Sequence, residues 1–369
     1  MTDFHGKVGL VQRVLPSYRV NFFNLLGEAC HDGLSVFAGQ PRRNEMIKPV
    51  KKLDHADLFI GQNMHLLWGK FYLCIQFGLL HWLKNWNPHV LIVEANPRYL
   101  KLPAAIRWMH QLKRPVIGWG LGAPPISGMM ASNRHRRRKE LIEQFDALIT
   151  YSQSGAEEYA ALGYPLDRIF IAHNAVTPAP EHLLPERPPF IPGDSKPQIL
   201  FVGRLQERKN VDNLIHACAR LPESSQPKLL IVGDGPVRKR LEILAKAIYP
   251  KAVFTGALYG EELRNHYQES DLFVLPGTGG LAIQQAMSYG LPVIAAQADG
   301  TQANLIREAN GWQIPANDIE PLKTTLETAL SDIPVLRRMG AESYRIVKEE
   351  INLEKMVEVF TKALERSLT

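Results

Sequence analysis

The feature that most constrains this chain is a rhythm. Short apolar runs alternate with helix-patterned stretches, twice, around a proline-dense break. In the first half, runs at residues 8–11, 33–37, 90–93, 115–119, 147–150 and 169–171 are rich in Val, Ile, Leu and Phe, with helical spacing over 20–29 and 104–112. Apolar runs bounded by turn residues and alternating with helices indicate a parallel sheet covered on both faces. From about Thr177 to Gln198 the rhythm stops and seven prolines crowd in. Proline fixes φ and lacks the amide hydrogen, so neither helix nor central strand fits there. The rhythm restarts with strands predicted at 199–202, 229–232, 252–254, 272–275 and 292–295, and helices over 210–221, 237–248, 260–269 and 281–289. A last stretch, 353–367, puts Met356, Val357, Phe360, Ala363 and Leu364 at helical spacing.

A chain of 369 residues exceeds the comfortable size of one core, roughly 250–300 residues. The expected fold class is therefore α/β: two Rossmann-like doubly wound domains facing across a cleft, the C-terminal helix packing back toward the N-terminal domain. The divisions read as 1–177 for the N-terminal domain, 178–198 for the linker, 199–350 for the C-terminal domain and 351–369 for the final helix. Ligands of such sheets bind at the carboxyl ends of the strands.

Three scattered cysteines, Cys30, Cys74 and Cys218, fit a reducing compartment better than a disulfide framework. Neither they nor His65, His81, His110, His135 and His173 show metal-ligand spacing, so no metal is expected. The N-terminus lacks a signal-peptide pattern, and charged or polar residues interrupt the apolar segment 66–83, so a cytoplasmic protein without a membrane span is expected. The net charge of +6 suits an anionic partner, and its densest run is Arg134 to Lys139. That run is either a solvated helix face or a contact for lipid headgroups or an acceptor phosphate. No nucleic-acid module surrounds it, so nucleic acid is not expected as a partner. Residues 66–86 carry Trp68, Phe71, Tyr72, Phe77, Trp82 and Trp86 with Lys70 and Lys84. They read as a core helix or as an interfacial one, which with 134–139 would give peripheral membrane contact.

Three strand ends in the second half carry chemistry. Gly203 and Arg204 follow the strand at 199–202, with Lys209 just beyond, where two cations can neutralise a diphosphate. Gly233-Asp234-Gly235-Pro236 is a tight turn between strand and helix. Pro276-Gly277-Thr278-Gly279-Gly280 precedes a helix, so amide N–H groups and the helix dipole form an anion site. This loop is neither a Walker loop nor a dinucleotide fingerprint. Each element alone has a bland reading as a surface loop; together, on one sheet, they converge.

Here the sequence resembles glycosyltransferase family 4. Phe201 to Leu205 with Lys209 looks like that family's Gly-Arg-Leu…Lys element, and Ile231 to Pro236 is similar to its Gly-x-Gly-Pro turn. Phe254-Thr255-Gly256 resembles its strand-end glycine beside the donor base, and Gly280 through Ile294 its donor-site helix and following strand. The resemblance covers about residues 146–369 and implies the GT-B fold. It implies that Arg204 and Lys209 hold the donor diphosphate, that Gly280 and Leu281 offer it backbone N–H groups, and that the turn Gly256–Leu258 faces the nucleobase. It further implies transfer with retention of configuration, without a metal ion or other cofactor, the nucleotide-diphosphate sugar being a co-substrate. The family's two glutamates, eight apart, are replaced by Gly277 and Gln285, and the loop is shorter. Gln285 can still hydrogen-bond a ribose hydroxyl; Gly277 cannot replace a carboxylate.

The N-terminal domain is expected to hold the acceptor. Tyr18 and Arg19 follow the first strand, Glu94 ends the strand at 90–93 as a candidate base, and Trp119 is placed to stack on a sugar ring. The corresponding bland readings are a solvated loop, a capping or ion-paired glutamate and a core tryptophan. The function expected is transfer of a sugar to a glycan or lipid-linked acceptor, as in surface polysaccharide assembly. The alternatives are a nucleotide-sugar epimerase and a non-catalytic, sugar-nucleotide-binding subunit of a transferase complex.

Overall fold

The computed structural model describes residues 3–42, 45, 47, 50–126, 128, 130–191, 195–297 and 302–368. The chain forms two compact units, residues 1–176 with 353–369, and residues 177–352. Residues 192–194 of the expected linker lie outside the described residues.

In the first unit, β1 (Val8–Val14), α1 (Val20–Ala29), β2 (Leu34–Gly39), β3 (Asp57–Ile60), β4 (Gln62–Leu66), β5 (Leu73–Phe77), α2 (Leu79–Trp86), β6 (Val90–Glu94), α3 (Leu102–Gln111), β7 (Val116–Gly120), α4 (Ala131–Ile142), β8 (Ala147–Thr150), α5 (Gln153–Ala161) and β9 (Ile169–Ile171) follow in turn. Seven strands form one sheet in the order β3-β2-β1-β6-β7-β8-β9, every pair parallel, while β4 and β5 form an antiparallel hairpin. Val90 to Val93 are fully buried, as a central strand covered on both faces requires.

Residues 66–86 are not one helix. Leu66 pairs with Leu73 and Met64 with Ile75 across the hairpin, and only Leu79–Trp86 is helical. Leu67 (φ 58°), Gly69 (φ 56°) and Gly78 (φ 86°) adopt left-handed conformations that end regular structure at both sides of β5. The helix that remains buries Leu79, Trp82 and Leu83, and the Trp82 indole donates to Ser35. It is a core helix, so the interfacial reading does not hold for it; the exposed aromatics sit on the hairpin instead.

The second unit contains β10 (Gln198–Val202), α6 (Val211–Ala219), β11 (Lys228–Val232), α7 (Arg238–Ile248), β12 (Ala252–Gly256), α8 (Gly260–Glu269), β13 (Leu272–Leu275), α9 (Leu281–Ser288), β14 (Val293–Ala296), α10 (Gln302–Leu305), β15 (Gly311–Ile314), α11 (Ile319–Ser331) and α12 (Ile333–Arg345). Its parallel sheet runs β12-β11-β10-β13-β14-β15. Asp318 and Asp332 accept hydrogen bonds from the first free amides of α11 and α12, as helix N-caps do. The proline-rich segment belongs to this unit. Arg187 donates to the carbonyls of Ser270 and Tyr289, Arg337 to that of Pro188, and the His182 ring stacks on Tyr289.

The final helix, α13 (Leu353–Leu368), belongs to the first unit and packs on α1. Met356, Val357, Phe360, Ala363 and Leu364 are buried, the face that its periodicity predicts.

Candidate functional site

Each sheet reverses its winding once, between β1 and β6 in the first unit and between β10 and β13 in the second. Loops leaving such a strand pair diverge at the carboxyl ends and open a crevice where ligands bind. In the second unit those loops are the ones after β10 and β13, which carry Gly203, Arg204 and Lys209 on one side and Gly277 to Gly280 on the other.

The loops are laced together by backbone. The Gly203 amide donates to Val232, that of Leu205 to Asp234 and that of Gly233 to Gly256, at 3.0, 2.9 and 2.7 Å. A Cβ on Gly233 would strike the Gly203 carbonyl, and one on Gly235 the Leu205 carbonyl. These two glycines therefore permit close loop-on-loop packing where a side chain would clash. Gly277 is likewise packed against the backbone of Arg208 and Lys209, whereas Gly280 faces open space. Gly256 (φ 83°) turns the chain after β12, with its open side toward the Arg238 guanidinium and Leu258 half-buried beyond it.

Gly280 caps α9 without a side-chain acceptor, and the first turn carries no acidic residue. Among the described residues no acceptor meets the amides of Gly280, Leu281 and Ala282. Orphan amides at the positive end of a helix dipole make a ready anion site. The Leu281 side chain lies outside the described residues. Lys209 ends a short 3-10 turn, and its ammonium lies against Gly279, whose φ of 131° brings the backbone close. Burial, with Arg208 adding repulsion, pushes the Lys209 pKa down to about 8. Arg204 is exposed. Among the described residues neither cation has a carboxylate partner. A half-buried ammonium without a counter-ion is costly in an empty protein, and a bound anion would supply the missing charge.

Gln285 lies one turn into α9, and its Oε1 accepts from the Tyr267 hydroxyl at 3.4 Å. The Tyr267 ring is stacked on Tyr289, centroids 5.3 Å apart. Two features escape the sequence reading. Gln302 is 2 % exposed; its amide nitrogen donates to the Gly279 carbonyl at 3.2 Å, and its Oε1 has no partner among the described residues. Thr278 and Arg208 tie the two loops: the Thr278 amide donates to the Arg208 carbonyl at 2.9 Å, and Arg208 Nη1 to Thr278 Oγ1 at 3.2 Å. Neither residue type carries a motif that would have marked it.

In the first unit Glu94 ends β6 at the reversal point. Its carboxylate accepts from the Arg13 amide and the Tyr99 hydroxyl, and burial pushes its pKa up to about 7. Arg13 itself is ion-paired with Glu45 at 2.9 Å. Tyr18 is exposed. The two other expected acceptor contacts need correction. Trp119 is 3 % exposed, with Phe22, Phe360 and Tyr151 packed around its ring, so no face is free for a sugar. Arg19 is buried; it donates to Asn174 at 2.8 Å and Tyr151 at 3.1 Å and lies over the rings of Tyr18, Trp119 and Tyr151. It joins the strand-end loops to the core instead of facing an acceptor.

Residues 186–346 match the family Glycosyl transferases group 1. Over 130 residues the chain is 41 % identical to a GDP-mannose-dependent alpha-mannosyltransferase of Mycobacterium tuberculosis, covering 34 % of this chain and 32 % of that protein. Over 144 residues it is 38 % identical to sulfoquinovosyl transferase SQD2 of Arabidopsis thaliana, covering 37 % and 27 %. The chain thus spans about a third of the length of these relatives. In structure it is similar to Anabaena Alr3699/HepE, solved in complex with UDP, with a TM-score of 0.70 at 16 % identity over 98 % of this chain and 99 % of that one. Residues 186–346 are thus similar to the glycosyl transferases group 1 family, within a chain that has the two-domain GT-B fold.

Proposed function

We propose that this chain transfers a sugar from a nucleotide-diphosphate donor to a glycan or lipid-linked acceptor, in assembly of a surface glycoconjugate. The observation that carries the reading is the pair Arg204 and Lys209, cations without a carboxylate partner among the described residues, on the loop packed against the one that leads into the uncapped start of α9. When the glycosidic bond to the diphosphate breaks, negative charge grows on the leaving oxygen. Fixed cations and amides aimed at that charge stabilise the transition state more than the ground state. The reaction proceeds with retention of configuration, as the family resemblance implies. It needs no metal ion, because Arg204, Lys209 and the helix terminus take the neutralising role. The relatives named for GDP-mannose and the structure solved with UDP support a nucleotide-sugar donor. The enzyme acts in the cytoplasm, with peripheral membrane contact; no helix among the described residues is long and apolar enough to cross a membrane.

The test is titration calorimetry with UDP and GDP in metal-free buffer, followed by turnover of pooled nucleotide sugars. One of the two diphosphates binds, and Arg204→Ala weakens that binding. Absence of binding for both, or an unaffected variant, removes the donor site and with it the reading.

A further inference from the structure

In the first unit a concave pocket of about 290 Å³ lies between the β4–β5 hairpin and α4. Its floor is apolar. Leu67 and Phe71 come from the hairpin turn and Met130 from the residue before α4, and they are 58 %, 49 % and 54 % exposed. Its rim is cationic, with Arg98 from the loop after β6 and Arg137 and Arg138 from α4. Among the described residues no acidic side chain lines it. The nearest acids along α4, Glu140 and Glu143, pair with Arg136 and Lys139, so Arg137 has no acidic partner among the described residues. Arg138 is held in place by the Pro124 carbonyl at 2.6 Å. Burial, opposed by Tyr159 and Glu158 and aided by Arg98 and Arg134, lowers its pKa from the usual guanidinium value.

Converging guanidinium groups ask for an anion with several acceptor oxygens. Clustered exposed apolar side chains ask for hydrocarbon. A free phosphate would leave the floor wet, and a neutral lipid would leave the rim uncompensated. A flat bilayer surface would not need a concavity. The volume holds roughly ten water-sized groups, enough for a phosphate and the first hydrocarbon unit of one chain. We propose that this pocket binds the phosphate head and proximal hydrocarbon of a single lipid phosphate. The inference rests on the transferase reading only in identifying that lipid as the acceptor's carrier.

The test is calorimetry on the full chain with farnesyl phosphate below its micellar concentration, with inorganic phosphate and farnesol in parallel. Farnesyl phosphate binds roughly tenfold or more tighter than either half-ligand, since both halves of the pocket contribute. The exposed-site variants Arg98→Ala/Arg137→Ala and Leu67→Asp each lose about tenfold, while nucleoside diphosphate affinity and melting temperature stay unchanged. Equal binding of inorganic phosphate, or unchanged binding in both variants, overturns the proposal. So does binding to anionic vesicles without binding to monomeric farnesyl phosphate, which marks a docking surface. If farnesyl phosphate binds but UDP and GDP do not, the pocket stands and the transferase reading falls.

Discussion

Replacing Lys209 with methionine separates what this residue does for the fold from what it does for a ligand. Methionine keeps an unbranched apolar stem of similar size and removes the charge. In the folded chain the lysine pKa sits at about 8 against an ordinary 10.5. The gap corresponds, at about 1.36 kcal/mol per unit, to a ceiling near 3 kcal/mol on the cost of holding the charged form in the empty site. Relaxation and partial exposure reduce this, so Lys209→Met stabilises the ligand-free protein at pH 7 by about 1–2 kcal/mol. For a unit of this size that raises the melting temperature by roughly 3–8 °C. The sign is fixed by the direction of the pKa. A lysine depressed in the fold carries its full penalty below pH 8, and the penalty fades as pH rises toward 10.5. The gain from methionine must therefore shrink over that window. Meanwhile the variant loses a charge-assisted contact to the diphosphate, so affinity falls about 10- to 100-fold. Differential scanning calorimetry at pH 7 and pH 10, paired with nucleoside diphosphate titration at pH 7, reads both effects. A variant less stable at both pH values, or one with undiminished affinity, refutes the reasoning.

Arg204 is exposed and has no protein partner among the described residues, so Arg204→Ala leaves the melting temperature within about 1 °C while weakening diphosphate binding about tenfold, by calorimetry. Glu94 has its pKa raised to about 7, so its ionised form costs stability that is absent below pH 4.5 and complete above pH 7. Glu94→Gln is accordingly neutral at pH 4 and stabilising at pH 8, read from urea unfolding midpoints. Gln285→Glu keeps an acceptor for Tyr267 and turns the free amide donor into an anionic acceptor. Calorimetry shows a changed nucleoside diphosphate affinity, by up to about tenfold, and unchanged pyrophosphate affinity if the residue meets the ribose.

The strand–helix rhythm was legible because fully buried parallel strands leave uninterrupted apolar runs, and β10, β11 and β13 fall where those runs stand. The β4–β5 hairpin was not, because its aromatic residues satisfy a helical pattern as well as a strand pattern. Only the left-handed residues Leu67, Gly69 and Gly78 decide it. β15, with the sequence Gly-Trp-Gln-Ile, is too short to stand out from a loop. At the candidate site, Arg204, Lys209 and Gly280 were singled out by their place on the loops after β10 and β13 and by the family resemblance, and the structure packs those two loops together. Trp119 and Arg19 were misjudged from position. They too follow or end strands, but α13 and α1 bring Phe360 and Phe22 onto Trp119, and Met356 beside Arg19. Contacts to a helix 241 residues after Trp119 and 337 after Arg19 leave no local signal.

Gly277 shows why loss of a carboxylate need not mean decay of the site. If this loop had only lost its glutamate by substitution, a side chain at 277 would still have room. It has none: a Cβ would press into the backbone of Arg208 and Lys209. The loop packs against the turn after β10, held by the Thr278 amide on the Arg208 carbonyl and by Arg208 on the Thr278 hydroxyl. The same packing sets Gly279 against the Lys209 ammonium. The packing that leaves no room for a side chain at 277 is thus the packing that sets the loop beside Lys209. Restoring the acid with Gly277→Glu would push the loops apart and displace Lys209. Gln302 brings a further polar group to this loop: it donates to the Gly279 carbonyl, and its buried Oε1 is unpaired among the described residues. A buried carbonyl oxygen without a donor costs stability until a hydroxyl reaches it, and sugar hydroxyls are the donors that a nucleotide-sugar would bring.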